Sequence, residues 1–503
     1  MWFRCLLVKL SLVWLLLKNQ EKKGYPTMKM KKILALLLVA TLMFVLIAAC
    51  AQDTPADPAP APPAADPAPA PPADDDDPAP PPVDDTPRGG GTINVWAFTD
   101  EIPNAIMRFR ELNPDFPYDI NVTEIGTDGG GYQDALTLAL AAGGADAPDI
   151  FTAEAAFVLM YSQADMSPFA LPYSELFGRD VGPMINAAQI APYIVDIGTR
   201  PSDNEVVALA FQHTGSAFIY RYSLAQQIWG DGSPEFVQGR VGPGWDQFLV
   251  AAAEAYAEGI AILPGEGDAW MAIRNVDVPW VVDGYLTLDS GRAQFLDVGY
   301  QLFNNDFTLK VTSWSDGWFG AMSGEGTERP VLGLLGPAWL INYVLAPNAG
   351  DTYGDWRITV PPEGFAWGGT WVFANAMGNP DVRGGVATLI EWITLDTTDT
   401  GFQYMFGSGT LIPGATTKDA IASAVVMDRV DGTVDILGGQ DMLEVFIPAG
   451  RYASGTGLGP WDETINSRFE DWAGQFFLGE VTRDGAIEGF KQTILDELGI
   501  PSR

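Results

Sequence analysis

The sequence predicts an α/β fold in which a parallel β-sheet carries helices on its faces. Between residues 92 and 154, short apolar and β-branched runs alternate with longer segments of helical periodicity. Their order is strand, helix, strand, helix, strand, and this alternation is typical of parallel sheets. With 503 residues, of which 47% are hydrophobic, the chain is long enough for more than one lobe and a large core.

The first strand and the first helix come directly after a Gly-rich stretch. TINVWAF is short, β-rich and mostly apolar, which predicts a buried strand. EIPNAIMRFRELNPDF follows, and Pro114 ends the predicted helix. Its apolar residues have helical spacing, and they are Ile102, Ile106, Phe109 and Leu112.

The next three segments repeat this pattern. YDINVTEI predicts a second strand, and GYQDALTLALAAGG predicts a helix that ends at Gly143. APDIFTAE predicts a third strand and its exit loop. Because strands joined through helices pair in parallel, we expect all three in one sheet.

The charge of the chain excludes one class of partner. The net charge is −36, and residues 1–49 contribute eight Lys/Arg and one Glu, so the remainder stands at −43. Such a surface repels phosphate backbones and anionic membranes, which argues against nucleic-acid binding. It suits a cationic ligand, or it serves solubility alone.

Cysteine and histidine are scarce. The two cysteines are Cys5 and Cys50, so the later chain has no disulfide and depends on its core for stability. His213 is the only histidine, which rules out HExxH zinc chemistry and any multi-histidine metal site. We therefore expect no metal and no cofactor.

The N-terminal region has the pattern of an export signal. Lysines precede an apolar run over residues 33–49, and the last two residues of this run, Ala48 and Ala49, are the small residues before Cys50. LIAAC resembles a bacterial lipobox, which implies cleavage before Cys50 and lipidation of that cysteine. An uncleaved signal anchor with an incidental cysteine is the alternative.

A predicted mis-assigned start precedes this export signal, and a Pro-rich tether follows it. Residues 1–27 hold a second apolar run, and we interpret them as a mis-assigned start, with translation beginning at Met28 or Met30 and a signal peptide over 28–49. The tether over 50–88 is rich in Pro, Ala and Asp, with 14 Pro in residues 51–87. Extended as polyproline II at ~3.1 Å per residue, it reaches on the order of 100 Å.

Further segments resemble a known family in the order of their landmarks. They begin with the Trp-containing strand and Pro-Asp-Ile, and continue through ALAFQHTGSAFIYRYSLAQQIWG, GPGWDQFLVAAAEAYAEGI, LLGPAWLINYV, FAWGGTWVFANA, GSGTLIP and GPWDETINSRFEDWAGQFFLGEV. This set resembles the extracellular solute-binding proteins of ABC importers, in particular family 1, which binds sugars and is maltose-binding-protein-like. The match covers most of residues 92–496 and is weakest over 262–335.

The resemblance implies a two-lobed, type II periplasmic-binding-protein-like fold with a ligand cleft between the lobes and three crossings. The implied crossings lie near Phe211–Thr214, Pro361–Gly368 and Ile412–Thr416. The implied N-terminal lobe comprises 89–211 and 368–412, and the C-terminal lobe comprises 212–367 and 413–503. Ligands of open α/β sheets bind at the carboxyl ends of the strands, which independently favours such a cleft.

Aromatic candidates for ligand contact follow from the physics of sugars, whose C–H faces stack on flat rings. Trp339 follows Gly-Pro at a strand-to-helix junction, and Trp461 follows Gly-Pro and opens a helix. The resemblance implies that both face the cleft, whereas lobe core is the alternative for each. Trp280 lies in the poorly matching region and is a further candidate.

Polar candidates lie after predicted strands. Asp100 follows the first strand and Glu154 the third, so both are candidate acceptors for sugar hydroxyls. Helix capping is the alternative for Asp100. His213 lies at the first implied crossing, where a structural role is the alternative to ligand contact.

Three functional hypotheses remain open on the sequence. The first is a non-enzymatic receptor, lipid-anchored at Cys50 on the extracellular face of a bacterial cell membrane, that delivers a sugar or oligosaccharide to ABC permease subunits. The second is the same receptor for a peptide, a polyamine or another cationic solute. The third is a surface-anchored glycoside hydrolase with two catalytic carboxylates.

Overall fold

The structure, a computed structural model, describes residues 90–127, 130–415, 417–449 and 457–503. The predicted start, signal peptide and tether over residues 1–88 lie outside the described residues, and so does Cys50. Within the described ranges, no helix has both the length and the apolar character needed to span a bilayer.

The described residues form twelve strands and twenty α-helices. The strands are β1 (Thr92–Ala97), β2 (Asp119–Glu124), β3 (Ile150–Glu154), β4 (Thr199–Arg200), β5 (Glu205–Val206), β6 (Ala208–Ala210), β7 (Ser216–Arg221), β8 (Val281–Val282), β9 (Tyr285–Leu286), β10 (Gly333–Pro337), β11 (Trp356–Thr359) and β12 (Thr370–Ala374). The helices are α1 (Glu101–Leu112), α2 (Gly131–Ala142), α3 (Val158–Ser162), α4 (Tyr173–Phe177), α5 (Gly182–Ala188), α6 (Pro192–Ile197), α7 (Tyr222–Trp229), α8 (Pro234–Val241), α9 (Trp245–Ala257), α10 (Glu266–Ile273), α11 (Ser290–Ala293), α12 (Phe295–Asn304), α13 (Asp316–Ser323), α14 (Ala346–Asn348), α15 (Arg383–Thr394), α16 (Phe402–Ser408), α17 (Ala424–Met427), α18 (Leu443–Ala449), α19 (Asp462–Phe477) and α20 (Arg483–Leu498).

The N-terminal lobe is built on a five-stranded sheet with the order β2-β1-β3-β12-β6. β1 pairs in parallel with β2 and β3, so the predicted parallel sheet is confirmed. α1 ends at Leu112, two residues before the predicted stop at Pro114. β12 enters from much later in the chain and runs antiparallel between β3 and β6.

The C-terminal lobe repeats this strand order with shorter pairings. β7 runs antiparallel between β10 and β11. Beyond β10, Ala261 bridges Val331 in parallel, and Leu263 bridges Thr308 in parallel. The order from Thr308 to β11 therefore matches the order from β2 to β6, with the antiparallel strand again in fourth place. Two sheets of the same topology make the predicted two-lobed α/β fold.

Connections between the sheets carry residues that later line the cleft. Residues 211–215 join β6 to β7, and residues 360–369 join β11 to β12. The backbone N–H of His213 donates to the carbonyl of Ala420 over 2.9 Å, so a later segment packs along the first connection. The side chain of Gln440 then bonds the backbone of β11. The numbered lobe boundaries and crossing positions stay predictions.

The apolar core explains why these segments fold. Ile102, Ile106 and Phe109, which give α1 its periodicity, are buried under the first sheet. One cluster of buried residues continues from this sheet to β10 and β11, and a second fills the C-terminal lobe among α9, α10, α19 and α20. Burial of each large apolar side chain contributes about 1.5–3 kcal/mol.

Candidate functional site

Two cavities open between the lobes, and residues of both lobes line each of them. Cavity A, of about 200 Å³, lies between the start of α1, the residues after β10 and residues 406–419. Cavity B, of about 280 Å³, lies between the end of β3, the end of α10 and the first half of α19. Ligand pockets measure roughly 300–1,000 Å³, so cavity B suits a small ligand.

One face of α19 supplies most of the polar wall of cavity B. Side chains three, four, seven or eight residues apart lie on the same side of a helix. The cavity-lining polar residues of α19 have this spacing, and they are Asp462, Glu463, Asn466, Ser467 and Glu470. The fold of the closing helix therefore directs three carboxylates towards the N-terminal lobe.

Glu154 faces these carboxylates from the other lobe, at the carboxyl end of β3. Its Oε2 accepts a hydrogen bond from the backbone N–H of Ala156 over 2.9 Å. Removal from water raises the pKa of Glu154 to about 7, although the N–H and the charge of Arg274 act against this rise. Glu154 is therefore partly protonated near neutral pH while the cavity is empty.

Arg274 is the cation of cavity B and follows α10 directly. Burial lowers the pKa of its guanidinium, while the carboxylates of Glu470, Glu154 and Asp462 act in the opposite direction. Among the described residues, its side chain shares no hydrogen bond with these carboxylates. Its donors are therefore available to a ligand.

Asp462 is the most buried carboxylate of the cavity, with 8% of its surface exposed. Its Oδ1 has no hydrogen-bond partner within the described part of the chain. Burial raises the pKa of Asp462 to about 6, and the charge of Arg292, the backbone N–H of Gly459 and the charge of Arg274 limit this rise. A buried acceptor without a partner costs about 1–3 kcal/mol, which a ligand recovers when one of its donors reaches Oδ1.

Neutral polar groups in cavity B are held in place by neighbours. The indole N–H of Trp280 donates to Oδ1 of Asn466 over 2.8 Å, which leaves the amide N–H₂ of Asn466 free to turn towards the cavity. The phenol oxygen of Tyr193 accepts from the backbone N–H of Thr214 over 2.9 Å. Such packing and hydrogen bonding pre-organise a binding wall.

Cavity A also contains carboxylates, but its most buried one is satisfied by the protein. Oδ2 of Asp419 accepts from Nε2 of Gln212 over 3.0 Å, and Oδ1 accepts from the backbone N–H of Ala420 over 2.7 Å. Burial raises the pKa of Asp419 to about 8. Lys418 directs its ammonium to the carbonyls of Asp431 and Thr433. Burial also raises the pKa of Glu101.

A tryptophan pair connects the two cavities. Trp339 lines cavity A and Trp367 lines cavity B. The indole N–H of Trp339 donates to the carbonyl of Trp367 over 2.9 Å, and their rings meet edge to face at 5.0 Å. Gly368 permits this contact, since its φ is +73° and a Cβ there would lie 3.0 Å from Nε1 of Trp339.

Trp314 extends this aromatic wall and was not predicted. Its ring lies nearly parallel to that of Trp339, with centroids 6.3 Å apart, and 49% of its surface is exposed. Its φ is +66°, a region that bulky residues rarely adopt. Strained residues with exposed faces cluster at binding sites, so this ring is a candidate contact.

The structure distributes the six predicted ligand residues over different environments. Asp100 and Trp339 line cavity A, and Glu154 lines cavity B. Trp461 is 44% exposed and immediately precedes α19, and it lines neither cavity. The carboxylate of Asp100 accepts from Nδ2 of Asn104 over 3.3 Å and, among the described residues, caps no backbone N–H of α1.

The remaining two predicted residues are buried and line neither cavity. His213 is 2% exposed and meets Tyr193 edge to face at 5.9 Å. Burial lowers its pKa to about 4, so it is neutral. Trp280 lies between Phe469 and Phe490 in the C-terminal lobe. Trp280 acts on cavity B indirectly, through its hydrogen bond to Asn466. The sequence did not distinguish this position from a cleft position, because a Trp followed by β-branched residues fits both.

Several lining residues were missed by sequence reasoning. Asp462, Glu463, Asn466 and Glu470 carried a detectable signal, since they share one helical face next to Trp461. Arg274 carried none, because it lies in the region where the family resemblance is weakest. Its position depends on how α10 packs against the rest of the lobe.

The sequence profile described as bacterial extracellular solute-binding protein matches residues 104–428. The chain therefore belongs to this family of bacterial extracellular solute-binding proteins. It is a binding protein and not an enzyme, and the predicted family resemblance is confirmed. No curated protein sequence matches the chain significantly.

Solved structures show the same fold at low sequence identity. An extracellular solute-binding protein of family 1 is 16% identical, with a TM-score of 0.64 over 80% of this chain and 98% of that protein. The sugar-binding protein MalE from Xanthomonas citri is 15% identical, with a TM-score of 0.60 over 81% and 97%. The galacto-N-biose/lacto-N-biose I-binding protein of an ABC transporter from Bifidobacterium longum, in complex with lacto-N-biose, is 16% identical, with a TM-score of 0.56 over 82% and 98%.

Proposed function

We propose that this protein captures a carbohydrate between its lobes and delivers it to the permease subunits of an ABC importer. The observation that carries the proposal is cavity B, where Glu154 of one lobe faces Asp462 and Asn466 of the other beside the ring of Trp367. The sugar-binding protein MalE and the lacto-N-biose complex, which have the same fold, support the same ligand class.

The residue types of cavity B match the chemistry of a sugar. Hydroxyl groups both donate and accept, so they pair with carboxylates, with the amide of Asn466 and with the guanidinium of Arg274. The C–H faces of a ring stack on an aromatic side chain, and Trp367 offers one. A ligand that bridges Glu154 and Asp462 favours the closed arrangement of the lobes, since it binds both at once.

This capture would take place outside the cell, at the cell membrane. Export through the signal over residues 28–49 and a lipid on Cys50 would hold the protein at the extracellular face of the cell membrane. The Pro-rich tether over 50–88 would let the lobes reach ligand and permease. Replacing Cys50 with Ser should release the protein from the membrane fraction and abolish incorporation of labelled fatty acid; retention of both would reject the anchor.

Calorimetric titration of the purified protein with a panel of mono- and oligosaccharides tests the ligand class. We expect at least one sugar to bind and Glu154→Gln to weaken that binding. The matched control is Glu480→Gln, which removes one charge from an exposed residue beyond the end of α19. Failure of the whole panel, with the protein folded, would reject a carbohydrate ligand.

A further inference from the structure

Cavity B is lined by more acidic than basic side chains. Four carboxylates and one guanidinium belong to its wall, an excess of three carboxylates among the described lining residues, and they are Glu154, Asp462, Glu463, Glu470 and Arg274. No lysine lines the cavity within the described ranges. A neutral ligand would leave this excess uncompensated in a site from which it displaces water.

Neither Arg274 in the wall nor the buried Arg292 behind it donates a hydrogen bond to the most buried carboxylate, although both charges act on it. Arg292 donates instead to the carbonyls of Val278 and Gly457. The guanidinium of Arg274 interacts electrostatically with three carboxylates, those of Glu470, Glu154 and Asp462. Asp462, only 8% exposed, keeps Oδ1 without a partner among the described residues. The position therefore calls for a further donor, and a positive charge on that donor would also reduce the excess of carboxylates.

We propose that the carbohydrate bound in cavity B carries a protonated amine, whose ammonium group is held by Asp462 together with Glu154 and Glu463. This inference rests on the proposed carbohydrate-binding function and names the class of sugar. An amino sugar satisfies both features of the cavity, because its ring has C–H faces for Trp367 and its ammonium has three donors for carboxylates.

The two lobes contribute different parts of this ammonium site. Asp462 and Glu463 begin α19, while Glu154 ends β3. A cation between them is attracted to both lobes, whereas ionised carboxylates alone repel each other across the cleft. The amine therefore favours closure in addition to affinity. The half-buried ring of Trp367 adds a cation–π contribution of about 0.5–2 kcal/mol if the ammonium lies over its face.

The protonation of the empty cavity agrees with this assignment. Burial raises the pKa of Glu154 to about 7 and that of Asp462 to about 6, and it also raises the pKa of Glu463. A bound ammonium stabilises the ionised carboxylates and lowers these values. Binding of an amino sugar near pH 6.5 should consequently release protons from the protein, which a neutral sugar should not do.

The test compares three β-1,4-linked disaccharides of one shape on the intact protein at about pH 6.5, where Glu154 and Asp462 are partly protonated. The probes are the glucosamine disaccharide, its N,N′-diacetyl form and cellobiose, with spermidine as a cation without rings. Titrations in about 0.1 M and about 1 M NaCl span Debye lengths of about 10 Å and 3 Å. Two buffers of different ionisation enthalpy report the protons released.

We expect the glucosamine disaccharide to bind at least about tenfold more tightly than the other two sugars, with proton release and a preference that shrinks in high salt. Glu463→Gln should reduce this preference severalfold, and Glu480→Gln should leave it unchanged. Equal or tighter binding of cellobiose or the diacetyl form would overturn the amine while leaving carbohydrate capture intact. Binding of spermidine alone would overturn both.

Discussion

The two cavities between the lobes have similar residue types but satisfy them differently. In cavity A the most buried carboxyl, that of Asp419, receives hydrogen bonds from Gln212 and from the backbone of Ala420, although Oε2 of Glu101 has no partner among the described residues. In cavity B the buried carboxyl of Asp462 keeps one oxygen unpaired within the described residues. A satisfied polar group stabilises the protein that contains it, whereas an unsatisfied one reserves that stabilisation for a ligand.

The difference follows from which segments meet at each cavity. The most buried wall of cavity A is formed where residues 419–422 pack along residues 211–213, so its polar groups face the partner segment. Cavity B lies between α19 and β3, which approach each other across the cleft without a ladder of hydrogen bonds. We infer that cavity A belongs mainly to the connection between lobes and cavity B to ligand capture.

The pH dependence of stability should show the largest effect. The pKa values of Glu154 and Asp462 are raised to about 7 and about 6, and that of Asp419 to about 8. The folded protein therefore holds more protons than the unfolded chain between about pH 4 and 8, and this stabilisation is lost as pH rises through the folded-state values. One pKa unit corresponds to about 1.4 kcal/mol, so the unfolding free energy should fall from pH 5 to pH 8 in urea titrations.

Amide substitutions show which cavity causes each part of the dependence of the unfolding free energy on pH. Asp419→Asn should reduce the slope between about pH 4 and 8, and Glu154→Gln between about pH 4.5 and 7, so the part between about pH 7 and 8 reports mainly Asp419. His213, whose pKa is lowered to about 4, acts in the opposite direction because it favours the folded state as pH rises to about 6.5. A curve that rises across the whole range would contradict the assigned burial of these carboxyls.

Removal of the Trp280 side chain should have the next largest effect. Trp280→Ala leaves a space between Phe469 and Phe490, and such truncations cost about 3–5 kcal/mol of unfolding free energy. Trp280→Phe keeps most of the packing but removes the hydrogen bond to Asn466, so it should weaken ligand binding more than its smaller loss of stability suggests. Thermal unfolding and calorimetry on both variants separate the two roles. Unchanged stability in Trp280→Ala would contradict its core position.

Matched amide substitutions in the two cavities should affect different properties. Asp462→Asn removes a charged acceptor from cavity B and should cost about 1.5–3 kcal/mol of binding free energy, or roughly a 10- to 100-fold loss of affinity. Asp419→Asn should change affinity less than about threefold, yet lower the unfolding free energy by about 1 kcal/mol because it disturbs the bond from Gln212. The reverse pattern would place ligand capture in cavity A.

The sequence predicted those parts of the fold that depend on local patterns. The apolar spacing of Ile102, Ile106 and Phe109 predicted α1 and its buried face, and the alternation of segments predicted the parallel pairing of β1 with its neighbours. The antiparallel entry of β12 between β3 and β6 depends on pairing between distant residues. No local pattern reports such pairing, and the family resemblance implied only that residues 368–412 belong to the N-terminal lobe.

The candidate site was predicted less completely, for a physical reason. Glu154 was found because strand ends face the cleft in an open α/β sheet. Trp280 and Trp461 are both Trp residues near glycine or proline, yet one is 1% exposed and the other 44%. Composition alone does not separate core from cleft, because the large apolar surface of Trp serves both.

A small loss of stability should also follow from substitution of the glycine that brings the two cavity walls together. Gly368→Ala places a Cβ 3.0 Å from Nε1 of Trp339 at a φ of +73°, and we expect a loss of about 1–2 kcal/mol of unfolding free energy. Gly230→Ala is the control, since it shares a positive φ of +81° but its Cβ meets no atom within 4 Å. The difference between the two variants measures the Trp339 contact, and chemical unfolding reports it. If both variants lose the same stability, the contact between Trp339 and the second connection contributes nothing, and the aromatic wall is held by Trp314 and Trp367 instead.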